Sequence, residues 1–136
     1  MNIVFDTYAW IEYFEGSAAG EAVERYIESE HYAITTPSIV LAELSDAHVQ
    51  GKVQMPWEDI LIFIRSHSEC LDLGEEIATK AGPLKKKLRM KSQGVGLIDA
   101  IILATTAYLG GTLLTGDPHL TGEEGVIDLS TLRKQD

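Results

Sequence analysis

The chain has 136 residues, of which 45% are hydrophobic, so it is long enough to form one ordinary domain around a packed core. Its single cysteine, Cys70, excludes an internal disulfide and favours a reducing compartment. The formal net charge of −10 argues against a uniformly basic, phosphate-attracting surface. The N-terminus, MNIVFDTY, lacks the basic and long apolar regions of a secretory signal, and we expect a soluble, cytoplasmic protein.

In chain order, the pattern of apolar and polar residues predicts strands that alternate with helices. We predict strands at 2–5, 32–36, 69–73, 112–115 and near 126–129. We predict helices at 7–14, 19–30, 37–50, 56–67, 74–90 and 96–109. Pro37 suits the first turn of its helix. Strands joined through helices imply right-handed crossovers, so the predicted fold class is α/β, with a mainly parallel central sheet that helices cover on both faces.

The most apolar stretch of the chain runs from Gly94 to Gly116, and Asp99 is its only charged side chain. Its length approaches that of a membrane span, but Asp99 and the Gly110–Gly111 break argue against one, and we predict a buried helix that turns into a buried strand. No Lys or Arg lies within one helical turn of Asp99. An unpaired buried carboxylate costs several kcal/mol, so Asp99 needs a cation, a cage of hydrogen bonds or a raised pKa.

Three further acids stand at the start or end of apolar runs, namely Asp6, Glu43 and Asp117. Asp6 and Asp117 follow predicted strands, and ligands of open parallel sheets bind outside the carboxyl ends of the strands. We expect Glu43 and Asp99 about one turn into their helices, which begin where strands end. The four acids can therefore meet at one edge of the sheet, where a divalent metal is the economical way to offset their repulsion.

Four segments resemble the motifs of the PIN-domain nucleases, and most closely those of the VapC-like toxins of prokaryotic toxin–antitoxin pairs. They are DTYAW at 6–10, the AE pair of SIVLAEL at 38–44, LIDAIILATTAYLGG at 97–111 and LLTGDPHL at 113–120. Two departures leave the choice of substrate open. Leu120 stands where the family often has an aromatic residue, and SQGVG separates the basic residues from Asp99.

The resemblance implies a single three-layer α/β/α domain over residues 1–136, a ribonuclease activity that depends on Mg²⁺ or Mn²⁺, and usually a homodimer. It places the family's catalytic, metal-binding acids at Asp6, Glu43, Asp99 and Asp117, and its small hydroxyl residue at Thr115. Mg²⁺ prefers oxygen ligands and retains several waters, which suits a few carboxylates and a substrate phosphate.

Each of these residues has an expected role in hydrolysis. We assign Asp6 and Asp99 as direct metal ligands, and Asp117 as a further ligand or as an acceptor of hydrogen bonds beside the metal. Glu43 either binds a second metal, roughly 4 Å from the first, or orients the attacking water. Thr115 donates a hydrogen bond to Asp117 or to a water at the metal.

Basic residues are concentrated in one segment, since six of the 11 Lys and Arg residues lie between residues 80 and 91. This run is either a solvated helix face or a local phosphate-binding patch on an otherwise acidic protein. His119, in the last motif, is either solvated or in contact with substrate. The candidate substrate-binding residues are therefore Lys85, Lys86, Lys87, Arg89, Lys91 and His119.

Other groups of residues carry weaker predictions. His67 and Cys70 have an H-x-x-C spacing, but no second pair accompanies them, so we do not predict a zinc site. Asp46, three residues after Glu43 on the same helix face, either extends the acidic site or is solvated, and we expect it to be solvated. Three aromatic residues of the first helix are predicted to be core or dimer-contact residues rather than a base-stacking platform; they are Trp10, Tyr13 and Phe14.

Three functions stay open at this point. The leading hypothesis is a metal-dependent endoribonuclease that acts as a toxin, with an antitoxin protein whose C-terminal segment inserts an Arg or Lys among the carboxylates. A phosphotransfer or receiver-like domain would use Asp6 as acceptor, but the sequence lacks the paired Asp and the late Lys of that class. The third is a catalytically idle PIN-like protein-binding module. A PIN nuclease that processes RNA without an antitoxin is a variant of the first.

Overall fold

The computed structural model describes residues 1–133, in which strands and helices follow one another along the chain. The strands are β1 (Asn2–Phe5), β2 (Ala33–Pro37), β3 (Glu69–Leu71), β4 (Thr112–Thr115) and β5 (Val126–Asp128). The helices are α1 (Thr7–Glu15), α2 (Ala18–Glu28), α3 (Ser38–Val49), α4 (Trp57–His67), α5 (Glu75–Arg89), α6 (Leu97–Tyr108) and α7 (Leu129–Arg133). Every predicted strand and helix is present with slightly different bounds, whereas α7 was not predicted. The last residues of the domain predicted over 1–136 lie outside the described residues.

The described strands form one parallel sheet in the order β3-β2-β1-β4-β5, with helices on both sides. The predicted α/β class and the parallel sheet are therefore confirmed. Val4 of β1 lies opposite Thr35 on one side and Leu113 on the other. The chain moves outward from β1 to β3 and then crosses to β4, so a topological switch point lies between β1 and β4. Ligands of such sheets bind outside the carboxyl ends of the strands at this point.

The core beneath this edge is built around β1 and α1. Phe5 and Trp10 are fully buried, and their rings pack edge-on with 5.0 Å between centroids. Trp10 also stacks on Phe14 at 5.8 Å, so it is a core residue, as the sequence predicts. Its Nε1 donates to Oγ1 of Thr36 at 3.1 Å, and that hydroxyl shares a 2.8 Å hydrogen bond with Ser68. The polar atom of this large side chain is thus satisfied inside the core.

One predicted helix start is corrected. Pro37 was expected in the first turn of α3, but it closes β2 in an extended conformation, with φ −62° and ψ 143°, and precedes the helix. Proline holds φ near this value in either setting, so the sequence alone does not distinguish the two. None of the helices within residues 1–133 combines the length and the hydropathy needed to cross a bilayer.

Candidate active site

Asp6 joins the end of β1 to the start of α1, where it is the N-cap residue. Its Oδ1 accepts a hydrogen bond from the backbone N–H of Ala9 at 2.9 Å, and only 5% of the residue is exposed. Burial raises the pKa of Asp6 to about 7, and hydrogen bonds from Thr115 and Ala9 partly oppose this rise. The negative charges of Asp117 and Glu43 raise the pKa further. A carboxyl that titrates near neutrality is typical of a functional site.

Asp99 is the third residue of α6, and its Oδ2 accepts the backbone N–H of Gly96 at 2.9 Å. The side chain is half-buried, and its pKa is raised by burial and then by the charge of Asp117, with which it shares a hydrogen bond. The expectation that Asp99 is the buried acid is therefore corrected, because Asp6 holds that position. The first turn of α6 is open to solvent, as the 49% exposure of Leu97 shows, although the surrounding sequence is apolar.

Glu43 lies just over one turn into α3, which begins at Ser38, close to the position expected from the sequence. Its Oε1 accepts a hydrogen bond from the hydroxyl of Thr7, the first residue of α1. Burial raises the pKa of Glu43, and the Thr7 hydrogen bond lowers it. The charges of Asp99 and Asp117 raise it again, so Glu43 belongs electrostatically to the same cluster.

Thr115 ends β4, and Asp117 is the second residue of the loop that follows it. The expected donation from Thr115 to the carboxylate of Asp117 is not what the structure contains. Instead, Oγ1 of Thr115 accepts the backbone N–H of Asp117 at 3.0 Å, and its hydroxyl donates to the carboxyl of Asp6. Asp117 in turn accepts the backbone N–H of His119 on Oδ1 at 2.9 Å. Thr115 therefore connects the two acids that follow β1 and β4.

The four acids line one pocket of about 330 Å³ at the switch point between β1 and β4. The structure thus brings together the residues that the sequence singles out, although they come from two strand ends and two helices. The other residues of the lining are Thr7, Tyr8, Ile102, Gly116 and Pro118. A second pocket, of about 400 Å³, shares Thr7 and Glu43 with the first and includes Asp46, which is exposed as predicted.

The four acids that line the first pocket have the chemistry that a hard divalent cation requires, since each supplies carboxylate oxygens. The pKa values of Asp6, Glu43 and Asp99 are each raised in part by the charge of Asp117, and a bound cation would offset that repulsion. Within residues 1–133, no three Asp, Glu, His or Cys side chains already form a ready-made metal cage.

The basic run extends from Lys80 to the end of α5 and into the residues just after it. Lys86 and Lys87 are exposed and Lys85 is half-buried, while Lys80 pairs with Glu76 at 3.2 Å. Within the described part of the chain, the lining of the four-acid pocket includes none of these lysines. The solvated helix face and the phosphate-binding patch both remain compatible with this arrangement.

His119 is the candidate substrate-binding residue that lies nearest to the acids. Its ring lowers the pKa of Asp99 electrostatically, and its Nδ1 shares a 2.7 Å hydrogen bond with Ser92, between α5 and α6. Sequence reasoning missed Ser92, because a contact across 27 residues leaves no local pattern. It also missed Thr7, whose position directly after Asp6 was a usable signal. His67 pairs with the carbonyl of Phe63 at 2.9 Å and lies outside this site.

The model of the PIN domain family matches residues 3–121, which is most of the chain. Together with the parallel sheet and the four acids at its carboxyl edge, this match shows that the chain belongs to the PIN domain family. The resemblance stated from the sequence is thus confirmed. A comparison with curated proteins gives no significant match.

Solved structures of similar fold include toxin–antitoxin complexes and a toxin. A toxin-antitoxin complex from Klebsiella pneumoniae matches with a TM-score of 0.70 and 25% identity, over 93% of this chain and 97% of that chain. VapBC2 from Rickettsia felis, bound to a DNA fragment from its promoter, matches with a TM-score of 0.68 and 21% identity, over 93% and 96% of the two chains. VapC20 from Mycobacterium tuberculosis, a Sarcin-Ricin loop cleaving toxin, matches with a TM-score of 0.63 and 16% identity, over 85% and 91%. The predicted resemblance to VapC toxins is confirmed at the level of the fold.

Proposed function

We propose that this chain is a metal-dependent endoribonuclease and the toxin of a type II toxin–antitoxin pair. The observation that carries the proposal is the single pocket lined by Asp6, Glu43, Asp99 and Asp117 in a PIN domain. Two findings support it. PIN nucleases generally use divalent metal ions, and one structural relative is a Sarcin-Ricin loop cleaving toxin.

Three of the acids, Asp6, Asp99 and Asp117, would hold Mg²⁺ or Mn²⁺. When bound, the ion would supply Lewis acidity at the scissile phosphate and lower the pKa of a water. Asp6 is the rigid member of the set, because hydrogen bonds from Ala9 and Thr115 fix its carboxyl. Glu43 would orient the attacking water or bind a second ion.

RNA is the proposed substrate, with hydrolysis at its phosphodiester bonds. A chain of net charge −10 repels phosphates at long range, so binding would depend on local positive charge. The exposed side chains of Lys86 and Lys87 support this role, since they are free to approach a phosphate. The full set of proposed contacts is Lys85, Lys86, Lys87, Arg89, Lys91 and His119.

An antitoxin protein is the proposed partner, because VapBC complexes are among the structural relatives. A pocket of four acids attracts cations, so a C-terminal segment of the antitoxin would insert Arg or Lys among the carboxylates and block the site. The test is copurification with the product of the adjacent gene. A variant with Asp6, Asp99 and Asp117 all changed to Asn should lose the partner, and unchanged binding would show that the pocket is not its anchor. We further propose a cytoplasmic homodimer in which residues 1–136 act as one nuclease domain.

The experiment that tests the ribonuclease is cleavage of a defined RNA oligonucleotide by purified protein with Mn²⁺, Mg²⁺ or a chelator. Wild type should cleave only with metal, and Asp99→Asn should lose at least the roughly 10–100-fold in activity that removal of a group supporting a metal ligand costs, because a ligand itself is removed. Asp46→Asn is the matched comparison, because this exposed acid lines only the neighbouring pocket. Wild type that binds metal but leaves RNA intact would favour the catalytically idle module instead.

A further inference from the structure

The connection between α5 and α6, residues 90–96, contacts the loop after β4 at two places. Nδ1 of His119 shares a 2.7 Å hydrogen bond with the hydroxyl of Ser92. A few residues further along the loop, Nζ of Lys91 lies 3.8 Å from the carboxylate of Glu123. The end of α5 also holds this connection, because Nε of Arg89 donates to the carbonyl of Val95 at 2.8 Å. Two segments that are distant in sequence are thus joined beside the four-acid pocket.

Gly94 completes this arrangement through its lack of a side chain. A Cβ at Gly94 would lie 2.2 Å from Cε1 and 2.4 Å from Nε2 of His119, distances at which the imidazole would have to move. The ring therefore packs directly on the backbone of the connection. With Ser92 at one nitrogen and Gly94 against the ring, the orientation of His119 is fixed although the residue is exposed.

The second ring nitrogen of His119 is left for another partner. When the hydroxyl of Ser92 donates to Nδ1, the neutral ring carries its hydrogen on Nε2, which is then a donor. Within residues 1–133, Nε2 has no hydrogen-bond partner. A donor held two residues from Asp117 is suited to an anionic oxygen, and the repeated anionic group of the proposed substrate is the phosphate.

We propose that Ser92 and Gly94 are positioning residues, which hold His119 so that its imidazole contacts an RNA phosphate next to the scissile one. This inference rests on the proposed ribonuclease function. A histidine fixed in advance loses little side-chain freedom when RNA binds, which is the advantage of the arrangement. The contacts of Ser92 and Gly94 with His119 act on substrate binding, whereas the carboxylates act on the metal and the reacting phosphate.

The first test compares two glycine substitutions by steady-state cleavage of one RNA oligonucleotide in Mn²⁺. Gly94→Ala should raise KM about tenfold with little change in kcat, since the loss of one hydrogen bond to a charged group has this size. Gly122→Ala should match wild type, because a Cβ there meets no atom within 4 Å and lies on the same loop as His119. His119→Ala should raise KM as Gly94→Ala does.

The double variant Gly94→Ala/His119→Ala separates positioning from a general disturbance of the loop. If Gly94 acts through His119, the double variant should be no worse than His119→Ala alone. Stabilisation of Gly94→Ala by Mn²⁺ should equal that of wild type, because the four carboxylates keep their places.

Ser92 offers a second route that does not depend on Gly94→Ala folding. Ser92→Ala should raise KM and Ser92→Thr, which keeps the hydroxyl, should restore it. Additive losses in the double variant, or a KM for both Ser92→Ala and Gly94→Ala equal to that of wild type, would overturn the inference while the ribonuclease stands. Absence of RNA cleavage by wild type would instead overturn the proposed function.

Discussion

The first turn of α1 lies between two regions that bury polar groups in opposite ways. The neutral region is the hydrogen-bond network of Trp10, Thr36 and Ser68, and the acidic region is the set of four carboxylates that includes Asp6. Trp10 donates to Thr36, which pairs with Ser68, and every member of this network is neutral. Asp6 also has hydrogen-bond donors, yet its pKa is raised to about 7 by burial and by neighbouring carboxylates. Within residues 1–133, no buried side-chain nitrogen or oxygen lacks a partner. The two regions therefore differ in charge, not in hydrogen bonding.

This comparison indicates where the fold is stabilised and where it is not. A neutral network with matched donors and acceptors adds to stability, because each buried polar group recovers the hydrogen bond it loses to water. A cluster of like charges subtracts from stability until a cation joins it. Repulsion among carboxylates that persists at the carboxyl edge of a sheet is typical of a functional site.

Disrupting the neutral hydrogen-bond network by a substitution should have the largest effect on stability. Trp10→Ala should lower the free energy of unfolding by about 5 kcal/mol, near the upper end for aromatic truncation, because a hydrogen bond is lost with the packing. Urea unfolding monitored by circular dichroism measures this. Tyr13 packs against Trp10 but is only half-buried, so Tyr13→Phe should change the free energy of unfolding by less than about 0.5 kcal/mol. Similar losses in the two variants would show that the buried network is not the stabilising region.

The acidic region should behave in the opposite sense in metal-free protein. The pKa of Asp6 is about 7 in the folded state against 3.8 as its ordinary value, so the folded state holds the proton more tightly. The favourable contribution is complete below pH 4 and is lost as the pH rises to about 7, a change on the order of 4 kcal/mol.

Asp6→Asn should therefore flatten this part of the stability profile and exceed wild type in stability at pH 8 in a chelator. Asn retains the N-cap hydrogen bond, so the helix start is not the cause of any difference. Asp46→Asn should follow the wild-type profile. Wild-type stability that increases between pH 5 and pH 7 by the same amount would contradict the assignment of Asp6.

A bound divalent metal should offset the loss of stability that charge repulsion causes in the acidic region. At a metal concentration about a hundredfold above Kd, wild type should gain about 2.7 kcal/mol of unfolding free energy, since the ion binds only the folded state. Asp99→Asn should lose this gain, whereas Tyr13→Phe should keep it. Thermal unfolding with and without Mn²⁺ provides the measurement, and an undiminished gain in Asp99→Asn would separate that residue from the metal site.

The smallest expected effect concerns the basic residues outside both regions. Changing Lys85, Lys86 and Lys87 together to Gln should weaken RNA binding and reduce the slope of log affinity against log salt by roughly 0.7 for each lost phosphate contact. Fluorescence anisotropy at several salt concentrations measures both quantities. Lys80→Gln is the comparison, because this lysine already pairs with Glu76. An unchanged slope in the triple variant would assign the run to a solvated helix face.

The sequence predicts the parts of this molecule that depend on local patterns. Apolar runs and helical periodicity located every strand of the sheet, and the positions of Asp6 and Asp117 after strands predicted the edge at which the acids meet. What failed depended on packing between distant segments. The burial of Asp6 rather than Asp99 follows from how α6 meets solvent, and the contact between Ser92 and His119 joins segments with no shared motif.

The strand order has a consequence for the timing of synthesis. Because β1 lies between β2 and β4, a chain emerging from the ribosome can build β1, β2 and β3 side by side before β4 exists. At that stage it carries only Asp6 and Glu43 of the four acids, and the wall of the pocket beside β1 is open. The carboxylate set is complete only after residue 117 has been added and β4 has docked. The pocket that carries the proposed activity is therefore among the last parts of the domain to form.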